Sequence, residues 1–312
     1  MANNATLEIG GREVPVSNLH KVFYPKTGFT KGEVIDYYIR ISSVLLPHLN
    51  NRPISLKRYP DGVEGFFFYE KNCPAHHPRW IKTIAVDKSD GSKIRYCAMN
   101  DLAALIWAAN LADLELHTFL HRAPALSRPT ALAFDLDPGA PADIVECCRV
   151  GLEVRKIFAG LGLESYAKTS GSKGLQVYVP LNTRITYERT KAFARAVAVA
   201  LEHHWPDLVI SRMERKLRKG KVFIDWSQND PKKTTVTVYS LRAKEEPTVS
   251  TPVTWEEVGQ AWKRKKALRF TSEQVLERVE KHGDLFAPVL EKKQKLPTLW
   301  DLEKGEPGRK SR

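Results

Sequence analysis

Apolar and polar residues alternate with a period of two in several short segments of the chain. The segments TALAFDLD, KGLQVYVPL and KVFIDWS are rich in β-favoured residues and are bounded by proline, glycine or asparagine, a pattern typical of strands. The opening TLEIGGREVPVS alternates around two glycines and predicts a hairpin. These segments predict a domain that contains a β-sheet.

Longer segments have the apolar spacing of α-helices. KGEVIDYYIRISSVLLPHL follows Thr30, a favoured N-cap residue, and residues 100–117 (NDLAALIWAANLADLELH) predict a buried helix. PADIVECCRVGLEVRKIFAGLG and TYERTKAFARAVAVALEHHW lie between predicted strands, and each is long enough to cover one face of a sheet. The order of these elements predicts an α+β, or mixed α/β, fold with helices packed on β-sheets.

Length and composition limit the class of protein. With 312 residues, 42% hydrophobic and 27% charged, the chain can bury a globular core. The apolar runs stop short of the roughly 20 residues that a membrane span needs, so we expect no membrane partner. The N-terminal segment lacks the basic and apolar regions of a signal peptide, and we therefore expect a cytoplasmic, nucleoid-associated protein.

The four cysteines, Cys73, Cys97, Cys147 and Cys148, form no C-x-x-C pair. Because their spacing does not suggest a disulfide framework, we predict reduced, mostly structural thiols. Two histidines follow Cys73 in CPAHHP, but no second cysteine pair completes a zinc site, so zinc is not predicted. The residues from 291 onwards are rich in lysine, proline and glycine and predict a loosely attached basic tail.

The charge is strongly positive. Lysine and arginine total 49 against 36 aspartate and glutamate, which gives +13. Such an excess attracts polyanions and favours nucleic acid or nucleotides as partners. A basic, solvated surface without a binding role is the alternative.

Three aspartates lie in predicted strands. Asp135 and Asp137 are two residues apart at the end of AFDLD, so both side chains point to the same face. Asp225 lies in the similar strand KVFIDWS. Carboxylates forced together raise a pKa or recruit a cation, and Mg²⁺ and Mn²⁺ prefer oxygen ligands. The pattern is compatible with a two-ion site for phosphoryl transfer, although surface acids at a strand end would give the same D-x-D.

Two segments offer groups that bind phosphate. TSGSKG, residues 169–174, combines glycines, hydroxyls and a lysine ahead of a strand, as a triphosphate cradle would, but it is not a Walker A sequence and also suits an ordinary turn. A basic run precedes the strand of Asp225, where a metal-bound triphosphate needs neutralising; a solvated loop is the alternative. The run consists of Arg212, Arg215, Lys216, Arg218, Lys219 and Lys221.

Several blocks, taken in order, resemble the polymerase domain of bacterial ligase D, a branch of the archaeo-eukaryotic primase superfamily. The blocks are NLHKVFYPKTGFTKGEVIDYY, RPISLKRYPDGVEGFFFYEKNCPAH, LIWAANLADLELH, FDLDPG, KTSGSKGLQVYVPL, VFIDWSQND and YSLRAKEEPTVSTPVTWEEV. Ordered blocks over most of the chain are more specific than any one motif. The resemblance implies a primase-polymerase-like catalytic core at residues 1–290, with a DNA-end-binding part at about 1–120 and a catalytic sheet at about 121–260, followed by the tail at 291–312.

The resemblance also implies roles for individual residues. Asp135, Asp137 and Asp225 match the catalytic triad that binds two Mn²⁺ or Mg²⁺ ions. The positions that match nucleotide contacts are Lys57, His117, Ser170, Ser172, Lys173, Gln176, Arg218, Gln228 and Arg242. Asn18, Lys21 and Lys31 match residues that grip a 5′-phosphate, and Phe68 and Tyr69 match an aromatic pair at the templating base, where stacking is independent of sequence. Core packing is the alternative for the aromatics.

One position departs from the family pattern. Gln176 replaces the usual histidine after S-G-x-K-G, and glutamine can donate a hydrogen bond but cannot carry charge or relay a proton. We therefore expect an altered nucleotide affinity or pH dependence. The sequence contains no K-x-D-G adenylation motif of a ligase, so we expect either a standalone polymerase or a domain cut from, or encoded apart from, its ligase.

The function implied by the resemblance is template-directed addition of ribo- or deoxyribonucleotides to 3′-ends at gaps and double-strand breaks, in non-homologous end joining. The implied partners are NTP or dNTP, DNA with a 5′-phosphate, a separate DNA ligase and a Ku-type end-binding protein. A primase or a base-excision gap-filling polymerase shares the motifs. A catalytically inert DNA-end-binding module is the alternative from another class.

Overall fold

The computed structural model describes residues 4–88 and 90–304. The strands are β1 (Ala5–Ile9), β2 (Arg12–Val16), β3 (Val22–Tyr24), β4 (Phe29–Thr30), β5 (Ile54–Arg58), β6 (Phe68–Glu70), β7 (Lys82–Asp87), β8 (Lys93–Ala98), β9 (Asp113–Thr118), β10 (Ala131–Pro138), β11 (Tyr166–Thr169), β12 (Leu175–Pro180), β13 (Val209–Ile210), β14 (Val222–Asp225), β15 (Thr235–Val236) and β16 (Pro252–Val253). The α-helices are α1 (Lys31–Leu49), α2 (Leu102–Asn110), α3 (Ile144–Gly160), α4 (Tyr187–His204), α5 (Trp255–Arg264), α6 (Ser272–His282), α7 (Pro288–Glu291) and α8 (Leu299–Lys304). Short 3-10 turns at Arg215–Leu217 and Trp226–Gln228 flank β14.

The chain divides into two compact units, each assembled from separate segments. Unit 1 contains the described residues within Met1–Leu126, Thr234–Ser250 and Phe270–Asp284. Unit 2 contains those within Ser127–Lys233, Thr251–Arg269 and Leu285–Arg312. The chain therefore enters each unit several times, so residues distant in sequence share one core.

Unit 1 is built on a sheet of strand order β15-β9-β5-β8-β7, with β6 also paired to β5. Helix α1 begins at a capping box, in which the Thr30 side chain accepts from the backbone of Glu33 and the Glu33 side chain accepts from the backbone of Thr30. The helix is anchored by its buried tyrosines. Tyr38 donates to the Leu114 carbonyl at 2.7 Å and Tyr37 donates to the Tyr239 carbonyl at 2.8 Å.

Unit 2 is built on a second sheet, of strand order β13-β14-β10-β12-β11-β16. All pairs of adjacent strands in this sheet are antiparallel except β13 and β14, which are parallel. Helices α3 and α4 cover the face that carries Phe134, whose ring lies 5.6 Å from Phe158, itself 6.0 Å from Phe193. Because side chains alternate along a strand, Asp135 and Asp137 point to the opposite face, away from the helices.

Most predicted elements are confirmed. Strands β1 and β2 form the predicted hairpin around Gly10 and Gly11, and β10, β12 and β14 lie in the segments predicted as strands. Helices α1, α3 and α4 occupy the segments predicted for them. The mixed α/β fold class is confirmed as well.

The helix predicted over residues 100–117 is wrong in its second half. Helix α2 spans Leu102–Asn110, and strand β9 begins at Asp113. Ala112, at φ 64°, lies in the turn between the two elements. The segment DLELHT then alternates with a period of two and pairs with β5 and β15, which buries Leu114 and Leu116 in the core.

The prediction that all cysteines are reduced is also wrong. Cys73 and Cys97 form a disulfide with an S–S distance of 2.03 Å, whereas Cys147 and Cys148 are buried free thiols. The backbone N–H of Cys73 donates to the Arg95 carbonyl at 2.6 Å, which holds Cys73 beside β8. The separation of Cys73 and Cys97 along the sequence, 24 residues, does not indicate that contact.

The segment after Glu291 is described as far as residue 304. Gln294 donates to the Pro180 carbonyl at 2.8 Å, and its backbone N–H donates to the Leu181 carbonyl at 2.9 Å. Leu296 and Leu302 are buried. The remainder of the predicted tail, residues 305–312, lies outside the described residues. Within the described part of the chain, no helix combines the length and apolar character required to cross a bilayer.

Candidate active site

The register of unit 2 brings Asp135 and Asp225 directly opposite one another. Strands β10 and β14 are antiparallel, and the pairing continues with Asp137 opposite Phe223. On the other side of β10, Gln176 of β12 lies opposite Asp135, and Lys168 of β11 lies opposite Gln176. Residues directly opposite in a sheet share a face. One row of polar side chains therefore crosses four strands of the sheet.

The electrostatics of this row are dominated by its carboxylates. Burial, together with the charges of Asp137 and Asp225, raises the pKa of Asp135 well above its ordinary value. A hydrogen bond from Gln176 and the charge of Lys168 oppose that rise. Gln176 also accepts a hydrogen bond from Tyr178 at 3.3 Å, so both ends of its amide are engaged. The net result disfavours the charged form of the Asp135 carboxylate, which additional positive charge would stabilise.

Asp225 is held by its own 3-10 turn. Its carboxylate accepts from the backbone of Ser227 at 3.0 Å, from the Ser227 hydroxyl, and from Gln228 Nε2 at 2.8 Å. Among the described residues, no three acidic, histidine or cysteine side chains are grouped as a metal site. The donor set nevertheless fits a hard divalent cation, because three carboxylates share one face and the charges of Asp137 and Asp225 disfavour the charged form of Asp135.

The segment TSGSKG forms a tight loop between β11 and β12. The Ser170 hydroxyl accepts from the backbone N–H groups of Ser172, at 3.3 Å, and Gly174, at 3.1 Å. Lys173 is exposed at the loop tip. A Cβ on Gly174 would lie 2.1 Å from the Leu136 carbonyl oxygen, so only glycine lets the loop approach β10 this closely. The loop is therefore fixed beside the pair Asp135 and Asp137.

Two further predicted residues of unit 2 carry buried polar atoms without a hydrogen-bond partner. They are Arg218 Nε and Gln228 Oε1. The Arg218 guanidinium lies 3.7 Å from the ring centre of Phe223, the residue opposite Asp137, and donates to the Met213 carbonyl at 2.8 Å. A donor and an acceptor left unsatisfied are groups that a polar ligand can satisfy.

In unit 1 the structure brings Lys57, His117 and Arg242 together around Glu115. Lys57 Nζ lies 3.2 Å and His117 Nε2 lies 3.0 Å from Glu115 Oε2, and Arg242 Nε lies 3.3 Å from Oε1. Glu115 was not among the residues predicted from the sequence. The signal was present, because Glu115 and His117 share a face in the alternating DLELHT, but the helix prediction concealed it.

Aromatic side chains surround this group. Lys57 Nζ lies 4.7 Å from the ring centre of Phe67 and 5.5 Å from that of Tyr69. Phe66, Phe67 and Tyr69 are all exposed, Phe66 most of all, whereas Phe68 is half-buried and stacks on Phe66 at 6.0 Å. The aromatic surface of this segment is thus wider than the predicted pair Phe68 and Tyr69, and its exposure does not suit core packing.

Asn18, Lys21 and Lys31 also meet in unit 1. The backbone N–H of Lys21 donates to the Asn18 carbonyl at 2.9 Å, and that of Lys31 donates to the Lys21 carbonyl at 2.8 Å. Lys31 is the first residue of α1 and is buried. Burial, reinforced by the charge of Lys21, lowers the pKa of Lys31 to about 8. Two lysines at a helix N-terminus form a site suited to an anion.

Known proteins are similar to this chain in sequence and fold. The family model described as LigD, primase-polymerase domain, matches residues 30–286. The multifunctional non-homologous end joining protein LigD of Mycolicibacterium smegmatis is 42% identical over 282 residues, which cover 88% of this chain and 36% of that protein. The corresponding LigD protein of Mycobacterium tuberculosis is 37% identical over 312 residues, which cover 94% of this chain and 40% of that protein.

A solved structure of a LigD polymerase domain is also similar to this chain. The polymerase domain of Mycobacterium tuberculosis ligase D, in complex with DNA, superposes with a TM-score of 0.84 at 36% identity and covers 89% of this chain and 98% of that one. The chain spans 36% and 40% of the length of the two curated relatives above. The family model covers most of the chain, and the chain therefore belongs to the primase-polymerase domain family of LigD.

Proposed function

We propose that this chain is a template-directed nucleotidyltransferase that extends 3′-ends at gaps and double-strand breaks during non-homologous end joining. The observation that carries the proposal is the register of unit 2, which sets Asp225 opposite Asp135 with Asp137 on the same face. A polymerase uses carboxylates grouped on one face of a sheet to bind metal ions, whereas a module that only binds DNA ends has no need of them.

Asp135, Asp137 and Asp225 are the residues that hold two Mg²⁺ or Mn²⁺ ions in this proposal. The bound ions supply charge neutralisation for a 3′-oxygen and a departing pyrophosphate. Holding them requires the Asp225 carboxylate to present a lone pair beyond those that Ser227 and Gln228 occupy. The raised pKa of Asp135 supports this role, because a carboxylate short of positive charge favours a cation.

Candidate nucleotide contacts are proposed for each unit by itself. In unit 2, we assign the triphosphate to Ser170, Ser172, Lys173 and Arg218, and a ribose or base hydrogen bond to the unsatisfied Gln228 Oε1. Gln176 bonds Asp135 and Tyr178, so its contribution to the nucleotide is through Asp135. In unit 1, we assign phosphate contacts to Lys57, His117 and Arg242, whose nitrogen atoms are held in one group around Glu115.

DNA contacts are proposed for unit 1. Lys21 and Lys31 with Asn18 suit a 5′-phosphate, and the exposed Tyr69, beside Phe68, suits stacking on a base. The relative of known structure was solved in complex with DNA. We further propose residues 1–290 as one catalytic domain that works with a ligase and a Ku-type protein, as the end-joining names of the relatives suggest.

Primer extension on a gapped duplex with a downstream 5′-phosphate tests the proposal. Wild type should extend the primer with NTP or dNTP in the presence of Mn²⁺ or Mg²⁺. Asp137→Asn should reduce extension at least about 100-fold, beyond what loss of a merely supporting group costs. The matched control is Asp207→Asn, the same change at an exposed aspartate of unit 2, which should extend normally.

The remaining outcomes separate the alternatives. Tight binding of gapped DNA by wild type without any extension would favour the inert end-binding module. Extension that depends on neither Asp137 nor the metal would overturn the assigned site. The ratio of NTP to dNTP incorporation gives the sugar preference, and omission of the primer distinguishes a primase from a gap-filling polymerase.

A further inference from the structure

Glu115 is a buried carboxylate that no solvent-borne ligand reaches. Its side chain is 1% exposed, on the interior strand β9 of unit 1, which lies between β15 and β5. It contacts Lys57, His117 and Arg242 at 3.0 to 3.3 Å, and it also accepts from the backbone of Ala243 at 3.1 Å. A buried carboxylate is costly unless it is paired, and Glu115 has a partner for each of its oxygens.

The groups around Glu115 are less completely buried. The side chains of Lys57, His117 and Arg242 retain 13%, 12% and 14% exposure. Lys57 and Arg242 together carry two positive charges against the one negative charge of Glu115, so the group stays cationic. The pKa of His117 is lowered by burial and by both neighbouring cations, against the opposing effect of Glu115. Glu115 thus lies beneath a positive surface that solvent reaches.

Aromatic rings also restrict the orientation of Lys57 and His117. The Lys57 ammonium lies among the rings of Tyr59, Phe67 and Tyr69, at 5.2, 4.7 and 5.5 Å. The His117 ring lies 5.8 Å from that of Tyr69, edge to face. Lysine and arginine side chains lose much rotamer freedom when they are ordered, so holding them before a ligand arrives favours binding.

We propose that Glu115 is a positioning residue that orders Lys57, His117 and Arg242 into one platform for an oligophosphate. That the natural ligand is a nucleoside triphosphate rests on the function proposed above. Glu115 itself does not touch the ligand. It aligns the ammonium, imidazole and guanidinium donors, so that they engage several phosphate oxygens at once.

Charge and positioning have opposite consequences when Glu115 is neutralised. Glu115→Gln removes a negative charge beneath the platform, and by charge alone an oligophosphate should then bind more tightly. If Glu115 acts by positioning, the same change releases the cations and binding weakens. Glu115→Asp keeps the charge and withdraws the carboxylate by one methylene, so it weakens binding only through lost alignment.

Binding of inorganic tripolyphosphate to the full chain, measured by calorimetry without metal or DNA, provides the test. Glu115→Gln should raise the Kd about tenfold or more, in line with loss of a buried charged partner. Glu115→Asp should change it in the same direction. The matched control is Glu70→Gln, which removes the carboxylate that pairs with Arg58 at 2.7 Å in the same sheet and should leave the Kd unchanged.

Two spectroscopic readouts separate alignment from general damage. Circular dichroism reports whether each variant folds, and NMR titration of His117 should show a pKa below that of wild type in Glu115→Gln, because Glu115 raises it. A variant with fewer binding sites but an unchanged Kd would indicate a structural role only. If Glu115→Gln does not fold, Glu115→Asp carries the test, and unfolding of both variants would overturn the proposal.

The proposal and the proposed function fail separately. Tighter binding in Glu115→Gln with no change in Glu115→Asp, or no tripolyphosphate binding by wild type, would overturn the platform whatever the chain does in primer extension. Conversely, weaker binding in both variants by a wild-type chain that extends no primer would leave the platform standing and remove the polymerase. In an active enzyme, Glu115→Asp should raise KM for the nucleotide and leave kcat unchanged.

Discussion

A single buried lysine makes the proposed 5′-phosphate site sensitive to pH. Burial, reinforced by Lys21, lowers the pKa of Lys31 to about 8. With that pKa, roughly 90% of Lys31 is charged at pH 7 and roughly 10% at pH 9. The phosphate binds the ammonium form, so the gain in affinity from a 5′-phosphate should fall by up to about tenfold between these pH values.

The measurement for Lys31 is the ratio of Kd values for gapped DNA with a downstream 5′-hydroxyl and a downstream 5′-phosphate. Lys31→Arg is the control, because a guanidinium keeps its charge at pH 9 and the ratio should then be independent of pH. An unchanged fall in Lys31→Arg would show that another group titrates. The second pKa of the phosphate is near 6, so the phosphate is already about 90% dianionic at pH 7 and its charge changes little up to pH 9.

At the scale of one element, the loop between β11 and β12 depends on a single glycine. A Cβ at Gly174 would lie 2.1 Å from the Leu136 carbonyl oxygen, a backbone atom that cannot rotate away. Gly174→Ala should push the loop off β10, lower the free energy of unfolding by about 1 to 3 kcal/mol and reduce nucleotide affinity. Urea denaturation and titration with a fluorescent nucleotide measure the two effects.

Gly160→Ala is the matched control for this loop. Gly160 ends α3, and apart from its chain neighbours and the backbone of its own helix, no atom of the described residues lies within 4 Å of the position of its Cβ. The added methyl should therefore change stability by less than about 1 kcal/mol. Nucleotide affinity should stay at the wild-type value. A Gly174→Ala variant that bound nucleotide as tightly as wild type would contradict the placement of the loop beside Asp135 and Asp137.

Helix α1 and strand β9 show which elements the sequence predicts well and which it does not. The cap of α1 was predictable because Thr30 and Glu33 are three residues apart and satisfy each other locally. Strand β9 was missed because the apolar segment LIWAANLADLELH suggests a single helix and outweighs the short alternation in DLELHT; pairing with β5 and β15 selects the strand. Local propensity is overridden where a segment gains more from tertiary contacts.

At the scale of the whole chain, the sequence gives residue types but not their neighbours. Asp135 and Asp225 were predictable as carboxylates on adjacent strands, whereas their direct opposition depends on a register that no local pattern encodes. No local pattern encodes the disulfide between Cys73 and Cys97 either, nor the assembly of unit 1 from three segments. Arg242 joins Lys57 only because the segment 234–250 returns to unit 1.

The net charge of +13 leads to a last prediction, because it does not say which of the 49 basic side chains meet DNA. The logarithm of the binding constant for gapped DNA should fall linearly with the logarithm of salt concentration, with a slope that counts phosphate contacts. Lys21 pairs with Asp61 at 2.7 Å, but both side chains are well exposed, so this ion pair is weak and a phosphate can replace Asp61. Lys21→Ala should therefore reduce the slope by about 1.

The control for the salt dependence is Lys93→Ala. Lys93 is also exposed and also pairs with an aspartate, Asp87, at 3.6 Å, but it lies on β8, outside the proposed DNA contacts. Both variants lower the net charge by one, so a diffuse attraction would flatten both slopes equally and contradict the assigned site. A smaller slope in Lys21→Ala alone would show that affinity depends on where a cation is held, since the total charge of the two variants is the same.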